Sequence, residues 1–348
     1  MQGFPGGFPP PGPPAASPAA AGRCDNAAVL SILAITFPFF ALVLCGYLAA
    51  RGGVLPQAAI PGLNAFVLFF ALPCMLFRFG ARTPIADLLD PAVAAVYIAC
   101  ALVMVAGAVA LSRRRLGWND AAFGALVAAF PNTGFMGVPL LVALLGTAAA
   151  GPAIFTMLVD MVLTTSLCIA LSRLDGAGAH GVAVALRRAL RGMLTNPMPW
   201  AIALGAVASA ARFTLPGPVD RTVALLADAA SPVALFTIGA VLARSQMQAV
   251  AHASERVAPR DYVPIALAKL FLHPLLVWAA GHAATAAGLP LTPFAHTALV
   301  LAAALPSASN VSLLAERFGA HNGRIARIIL VSTALAFLSF SGAVALLV

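Results

Sequence analysis

Residues 130–141 read Phe130-Pro131-Asn132-Thr133-Gly134-Phe135-Met136-Gly137-Val138-Pro139-Leu140-Leu141. They lie inside an apolar run, Ala121 to Ala150, that holds no charge. Two prolines, two glycines, an asparagine and a threonine fall within nine residues of it. Proline removes a backbone donor and clashes with the preceding turn. Glycine adds backbone freedom. A helix in lipid has to satisfy its own amides, so such a break is tolerated only where it lines a cavity or is buried in protein. The chain is therefore expected to be organised around this break.

Composition fixes the solvent. Of 348 residues, 61% are hydrophobic and 9% are charged, and the mean hydropathy is +0.98. Soluble domains carry about 25% charged residues, so an integral membrane protein is expected. The apolar segments are long and continuous, which selects helices over an outer-membrane barrel. Ten spans are read at 29–50, 57–79, 91–112, 119–145, 150–172, 197–212, 219–244, 260–283, 293–316 and 323–348, the sixth being the shortest. Residues 1–28, rich in Pro, Gly and Ala, read as a disordered tail. They lack the basic start and apolar core of a signal peptide.

The net charge of +9 does not imply nucleic acid, because the basic residues sit in short loops. With the N-terminus outside, the inner loops hold Arg51, Arg113, Arg114, Arg115, Arg173, Arg187, Arg188, Arg191, Arg244, Arg256, Arg260, Arg317, Arg324 and Arg327. The outer side holds Arg23, Arg78, Arg82, Arg212 and Arg221. That asymmetry predicts both termini outside and the 173–196 loop in the cytoplasm. A bacterial cytoplasmic membrane is the expected location. The five cysteines, Cys24, Cys45, Cys74, Cys100 and Cys168, form no CxxC pair. They read as free thiols, with no metal or cofactor expected.

The two halves can be laid on each other. Gly46 and Leu55-Pro56 match Gly205 and Leu215-Pro216, and Pro73 matches Pro232. Ala129-Phe130-Pro131-Asn132 matches Ala304-Leu305-Pro306-Ser307. Two five-span repeats, 29–172 and 197–348, must be inserted in opposite orientations because five is odd. Inverted repeats with broken helices in corresponding positions are a secondary-transporter architecture.

Residues 131–141 resemble the first crossover motif of the auxin efflux carrier family, which in plant members reads close to P-N-T-L-x-M-G-I-P-L-L. Gly134 stands where that motif has Leu, and the long cytoplasmic loop of plant members is absent. Leu305-Pro306-Ser307-Ala308-Ser309-Asn310-Val311-Ser312-Leu313-Leu314 is similar to the second crossover of bacterial members, and Ile329-Leu330-Val331-Ser332-Thr333 to the start of their tenth span. The resemblance covers about residues 29–348. It implies an all-α, sodium/proton-antiporter-like fold of ten helices in two inverted repeats. It implies a scaffold of spans one, two, six and seven, commonly the homodimer surface. The remaining spans would form a transport domain that shifts like an elevator. It implies a small organic anion as substrate, malonate or another carboxylate in bacterial members, with an indole acid as the alternative. An anion channel is a further alternative.

The expected substrate-binding residues are Pro131, Asn132, Thr133, Gly134 and Gly137 with Pro306, Ser307, Ser309 and Asn310. The prolines free backbone groups, and half-helix N-termini suit a carboxylate. The plain alternative is a pair of proline kinks with no ligand. Asn132 and Thr133 offer hydrogen bonds to a substrate or caps to the following helix. Two charges lie inside spans, Asp160 in the fifth and Lys269 in the eighth. Such charges face a cavity or a partner. They read either as a proton-coupling or substrate-charge site or as a static ion pair. Asp228 reads as structural, His273 as a neutral hydrogen-bonded residue, and Glu316 and Arg317 as interfacial. No HExxH, GxSxG or P-loop is present, so an enzyme is not expected.

Overall fold

The computed structural model describes residues 18–84, 90–174, 187, 197–251 and 257–348. Positions 1–17 of the expected tail and nearly all of the 173–196 loop lie outside the described residues. The fold is helical: α1 Pro18–Arg51, α2 Gln57–Arg82, α3 Pro91–Ala129, α4 Thr133–Leu145, α5 Thr147–Leu171, α6 Pro197–Ala210, α7 Gly217–Ala251, α8 Val263–Ala286, α9 Pro293–Ala304, α10 Val311–Arg317 and α11 Asn322–Leu347. Among the described residues α1, α2, α3, α5, α7, α8 and α11 are long and apolar enough to cross a membrane, while α4, α6 and α9 are shorter apolar helices.

These helices fall on the expected spans with a difference at the start of the first. Spans three and four are two helical arms that abut at Gly117, whose φ of 76° and ψ of 173° are not helical and are rarely adopted by an L side chain, so α3 breaks direction there. Span four is then the second arm of α3 plus α4, and span nine is α9 plus α10. The first helix also begins at Pro18, ten residues before the end of the expected tail, because Ala19-Ala20-Ala21 are strong helix formers. Asp90 caps α3 through Oδ1, which accepts from Ala92 N at 2.8 Å and Val93 N at 3.3 Å. Thr292 Oγ1 caps α9 by accepting from Ala295 N at 3.1 Å.

Two helix pairs pack through glycine. A Cβ at Gly46 on α1 would collide with the Phe236 carbonyl oxygen on α7, and one at Gly239 on α7 would collide with the Val43 carbonyl on α1. A Cβ at Gly205 on α6 would collide with the Phe77 carbonyl on α2, and one at Gly80 on α2 would sit 2.9 Å from the Ile202 carbonyl. Each residue of the second set is the mate, 159 positions away, of one in the first: 46 with 205, 77 with 236, 80 with 239, 43 with 202. Small residues let membrane helices approach until backbones touch. Arg78 and Asp228 add an ion pair between α2 and α7 at 3.4 Å.

The remaining helices surround the breaks. Residues 121–133 and 298–309 are buried without interruption, so the irregular backbone sits inside protein, as lipid requires. At one end of this group Arg324 is buried, donating from Nε to the Asp261 carbonyl at 2.7 Å and from Nη1 to the Asp120 carbonyl at 2.8 Å. Gly124 leaves room for that guanidinium. Arg115 pairs with Asp261, and Arg327 donates to the Val257 carbonyl at 3.1 Å. The bend of α3 and the starts of α8 and α11 are tied together there.

Candidate functional site

The two proline breaks meet. Phe130 N closes α3 on the Leu126 carbonyl at 2.9 Å, and Pro131 has no donor to continue. The chain extends for two residues and pairs, antiparallel, with the corresponding stretch after α9. Asn132 N donates to the Pro306 carbonyl at 2.8 Å and Ala308 N to the Phe130 carbonyl at 2.9 Å, with Pro131 opposite Ser307. The crossing thus satisfies part of the backbone that both prolines leave open.

On the far side of the first break, α4 opens with a π turn, Thr133–Gly137. The Asn132 carbonyl accepts from Met136 N at 3.1 Å and Gly137 N at 3.0 Å. Gly137 leaves room for the end of the Leu305 side chain, the residue before the second proline, which a Cβ there would displace. Gly134 lies against Met157 of α5, 3.0 Å from a built Cβ to the sulfur. Beyond the second break the Ser307 amide donates to Ser332 Oγ of α11 at 3.2 Å. That hydroxyl in turn donates to the Ile329 carbonyl at 3.0 Å.

Four side-chain atoms at the crossing are buried and have no protein partner: Asn132 Oδ1, Thr133 Oγ1, Ser307 Oγ and Asn310 Oδ1. Buried polar atoms are nearly always satisfied, and each orphan costs about 1–3 kcal/mol. These four lie at one crossing, on two segments far apart in sequence. A cavity of about 480 Å³ reaches it from the arginine-rich end. Ser309, Asn310 and Ser312 form its inner wall, Asn64 of α2 and Arg244 of α7 face them, and Glu316 and Asn322 also line it. Ser309 and Asn310 therefore reach the cavity, whereas Pro131, Asn132, Thr133, Gly134, Gly137, Pro306 and Ser307 form the packed crossing behind it.

Behind the crossing lies a second polar group. Asp160 is fully buried in a π turn, Asp160–Thr164, of α5. Its Oδ2 accepts from Tyr97 OH at 2.6 Å and its Oδ1 from Thr164 Oγ1 at 3.0 Å. Lys269 is fully buried in a π turn, Ala268–Leu272, of α8. Its Nζ donates to the Ala303 carbonyl at 2.6 Å and lies 3.2 Å from His273 Nδ1. A direct Asp160–Lys269 ion pair, one of the two readings of these charges from sequence, is not formed: among the described residues the ion pairs join Arg78 with Asp228 and Arg115 with Asp261. Each charge has a nearer partner, and the Tyr97 and His273 rings, 6.1 Å apart, separate the two sets. Lys269 also has a structural reason for its place. In an uninterrupted helix the Ser307 amide would bond the Ala303 carbonyl; that amide goes to Ser332 instead, and the ammonium takes the freed acceptor.

Sequence reasoning left out Tyr97, Thr164, Ser332, Asn64 and Asn322, and counted Arg244 only as a loop arginine. Tyr97 had one available signal, a hydroxyl-bearing aromatic in the middle of an apolar span. Arg244 is half-buried, and its Nε is buried with no hydrogen-bond partner.

Comparison with known proteins agrees with this architecture. The family model described as "Membrane transport protein" matches residues 31–344. A Rhizobium meliloti protein described as "Putative malonate transporter" is 30% identical over 316 residues, covering 89% of this chain and 94% of its own length. "Uncharacterized transporter YfdV" of Escherichia coli K12 is 28% identical, covering 82% and 87%. An "Uncharacterized transporter" of Methanothermobacter thermautotrophicus is 26% identical, covering 90% and 96%. The chain is an integral membrane protein and belongs to the membrane transport protein family, the auxin efflux carrier family that its first crossover resembles.

Proposed function

We propose that this protein is a secondary active carrier of a small organic anion, held at the crossing of residues 130–133 and 305–310. The observation that carries the reading is the set of four buried, unpartnered polar atoms on Asn132, Thr133, Ser307 and Asn310. The Thr133 and Ser307 hydroxyls and the asparagine Nδ2 groups can donate to carboxylate oxygens, while the two amide oxygens accept, and α4 begins at the crossing with the positive end of its dipole. The putative malonate transporter among the relatives favours malonate or a similar carboxylate.

In this reading the chain crosses the membrane ten times, as two inverted five-helix repeats. The common offset of 159 in the two glycine-packed helix pairs supports the repeat. Helices α1, α2, α6 and α7 form the scaffold, and their exposed Leu44, Leu48, Leu204 and Val207 suit lipid or a second protomer. The rest moves as one body, carrying the crossing from one side to the other in an elevator-like shift. Both termini face outward from a bacterial cytoplasmic membrane, with the arginine-rich end inside. Asp160 and Lys269, buried in the moving body and each set in a π turn, are the coupling group, with the proton as the coupling ion. π turns are frequent at functional positions in helices.

Counterflow in proteoliposomes tests the reading. Radiolabelled malonate is supplied outside against trapped unlabelled carboxylates. Saturable accumulation is expected from the wild-type protein. Asn132→Ala should lower kcat/KM at least about 10-fold, the loss of about 1.4 kcal/mol, at unchanged thermal stability. Wild-type counterflow in the variant would remove the crossing from the transport path.

A further inference from the structure

We propose that Arg244 selects dicarboxylates over monocarboxylates by binding the second carboxylate of a substrate whose first is held at the crossing. The inference rests on the crossing being the substrate site. Around that crossing every orphaned group is neutral: two asparagines, a threonine and a serine. The cation nearest to it in the moving body, Lys269, is bonded to Ala303 and His273 and does not line the cavity. The cavity nevertheless holds one cation, on the opposite wall. Arg244 ends the apolar part of α7 in Val241-Leu242-Ala243-Arg244-Ser245, and both it and Ser245 line the space that Asn310 and Ser309 open onto.

Arg244 differs from three other arginines of that end. Arg115 is paired with Asp261, Arg324 with two carbonyls and Arg327 with one. Arg244 makes no hydrogen bond or ion pair with any described residue, and its Nε is buried. A guanidinium is always charged and presents a planar fork that fits a carboxylate in two places. Removing such a cation from water without a partner is unfavourable. Its setting is polar on the facing side as well: Asn310 Oδ1 and Asn322 Oδ1 are buried, unpartnered and on the same cavity.

Glu316 also lines the cavity, from an exposed position on α10, and forms no ion pair with Arg244. The cavity is therefore not uniformly positive, and a dianion gains there only from a contact directed at Arg244. A monocarboxylate can occupy the crossing or Arg244 but not bridge them. In this proposal a dicarboxylate contacts Arg244 at one end and, at the other, Asn310, the orphaned residue of the crossing that lines the same cavity, and a cavity of about 480 Å³ is within the usual size of a small-molecule site. The mate of Arg244 in the first half, 159 positions earlier, is Ile85. The cation thus belongs to one mouth of the carrier, at the arginine-rich end.

The test uses the full chain in proteoliposomes, with malonate and succinate as dicarboxylates and lactate as monocarboxylate, assayed from each face. Arg244→Gln is expected to raise KM for both dicarboxylates about 30-fold from the arginine-rich face, in line with the loss of one buried charge contact. Lactate should stay within about 2-fold, and Arg244→Lys should recover part of the dicarboxylate loss. Thermal unfolding of each variant shows that it is folded. Equal losses for lactate and malonate, or no loss for either, would overturn the assignment of Arg244 while Asn132→Ala still reports on the crossing. A wild-type protein that moves none of the three anions would overturn both.

Discussion

The two glycine-packed helix pairs and the two proline crossings obey different rules. Between α1 and α7, and between α2 and α6, the same two contacts occur at one offset. At the crossings the halves diverge. The first continues into a π turn whose amides return to the Asn132 carbonyl. The second relies on groups from elsewhere, Ser332 of α11 for an amide and Lys269 of α8 for a carbonyl. Backbone contact admits one residue type, so packing repeats faithfully. Polar groups at a site are used once each, so chemistry need not repeat.

The largest effect that separates the two follows from glycine. Gly46→Val and Gly205→Val each drive a side chain into a carbonyl oxygen on the partner helix. Backbones on both sides must shift, and overpacking of this kind costs about 3 kcal/mol or more. Both variants should unfold at markedly lower temperature in detergent, and by similar amounts. A large loss in one and none in the other would break the equivalence of the two pairs.

Next in size are the buried charges. Lys269→Met keeps the length of the side chain but leaves the Ala303 carbonyl without its donor, a loss of about 1–3 kcal/mol. Asp160→Asn retains an oxygen to accept from Tyr97, so its stability should change by less than about 1 kcal/mol. If Asp160 carries the coupling proton, the same variant should lose the component of uptake driven by a pH gradient and keep counterflow. Uptake that follows the gradient as in wild type would return Asp160 to a structural role. Melting temperature should therefore fall further for Lys269→Met than for Asp160→Asn.

Much of this was legible before any coordinates. Two prolines, two glycines and Asn132 in an uncharged run can only be a break, and Pro306 supplied the second. Gly46 with Gly205, and Pro73 with Pro232, already carried the offset that the helix contacts share. That Asp160 and Lys269 take other partners than each other was not legible, because which groups meet depends on helix rotation. A π turn changes that rotation by one extra residue and leaves no signature in sequence. Gly117 was legible in part: the charged and polar stretch from Arg113 to Asp120 separates two apolar spans, and the break falls inside it. Arg244 was hidden for another reason. Arginines at span ends are accounted for by membrane orientation, and only burial and the lack of a partner set this one apart.

An effect smaller than that of the glycine variants tests the second crossing by itself. Ser332→Ala removes the hydroxyl that accepts from the Ser307 amide at 3.2 Å, inside a fully buried region. One buried N–H is then unsatisfied, which costs about 1–2 kcal/mol, read as a fall of a few degrees in melting temperature. The first crossing has no equivalent, since the Asn132 amide is held by the Pro306 carbonyl and no side-chain substitution reaches that bond. Two outcomes are informative. A loss of the expected size means that the second crossing depends on α11. No loss means that the Ser307 amide returns to the Ala303 carbonyl, its partner in an unbroken helix, and displaces Lys269 from it. In that case Lys269→Met should cost less in the Ser332→Ala background than alone, a coupling that a double-mutant cycle would resolve.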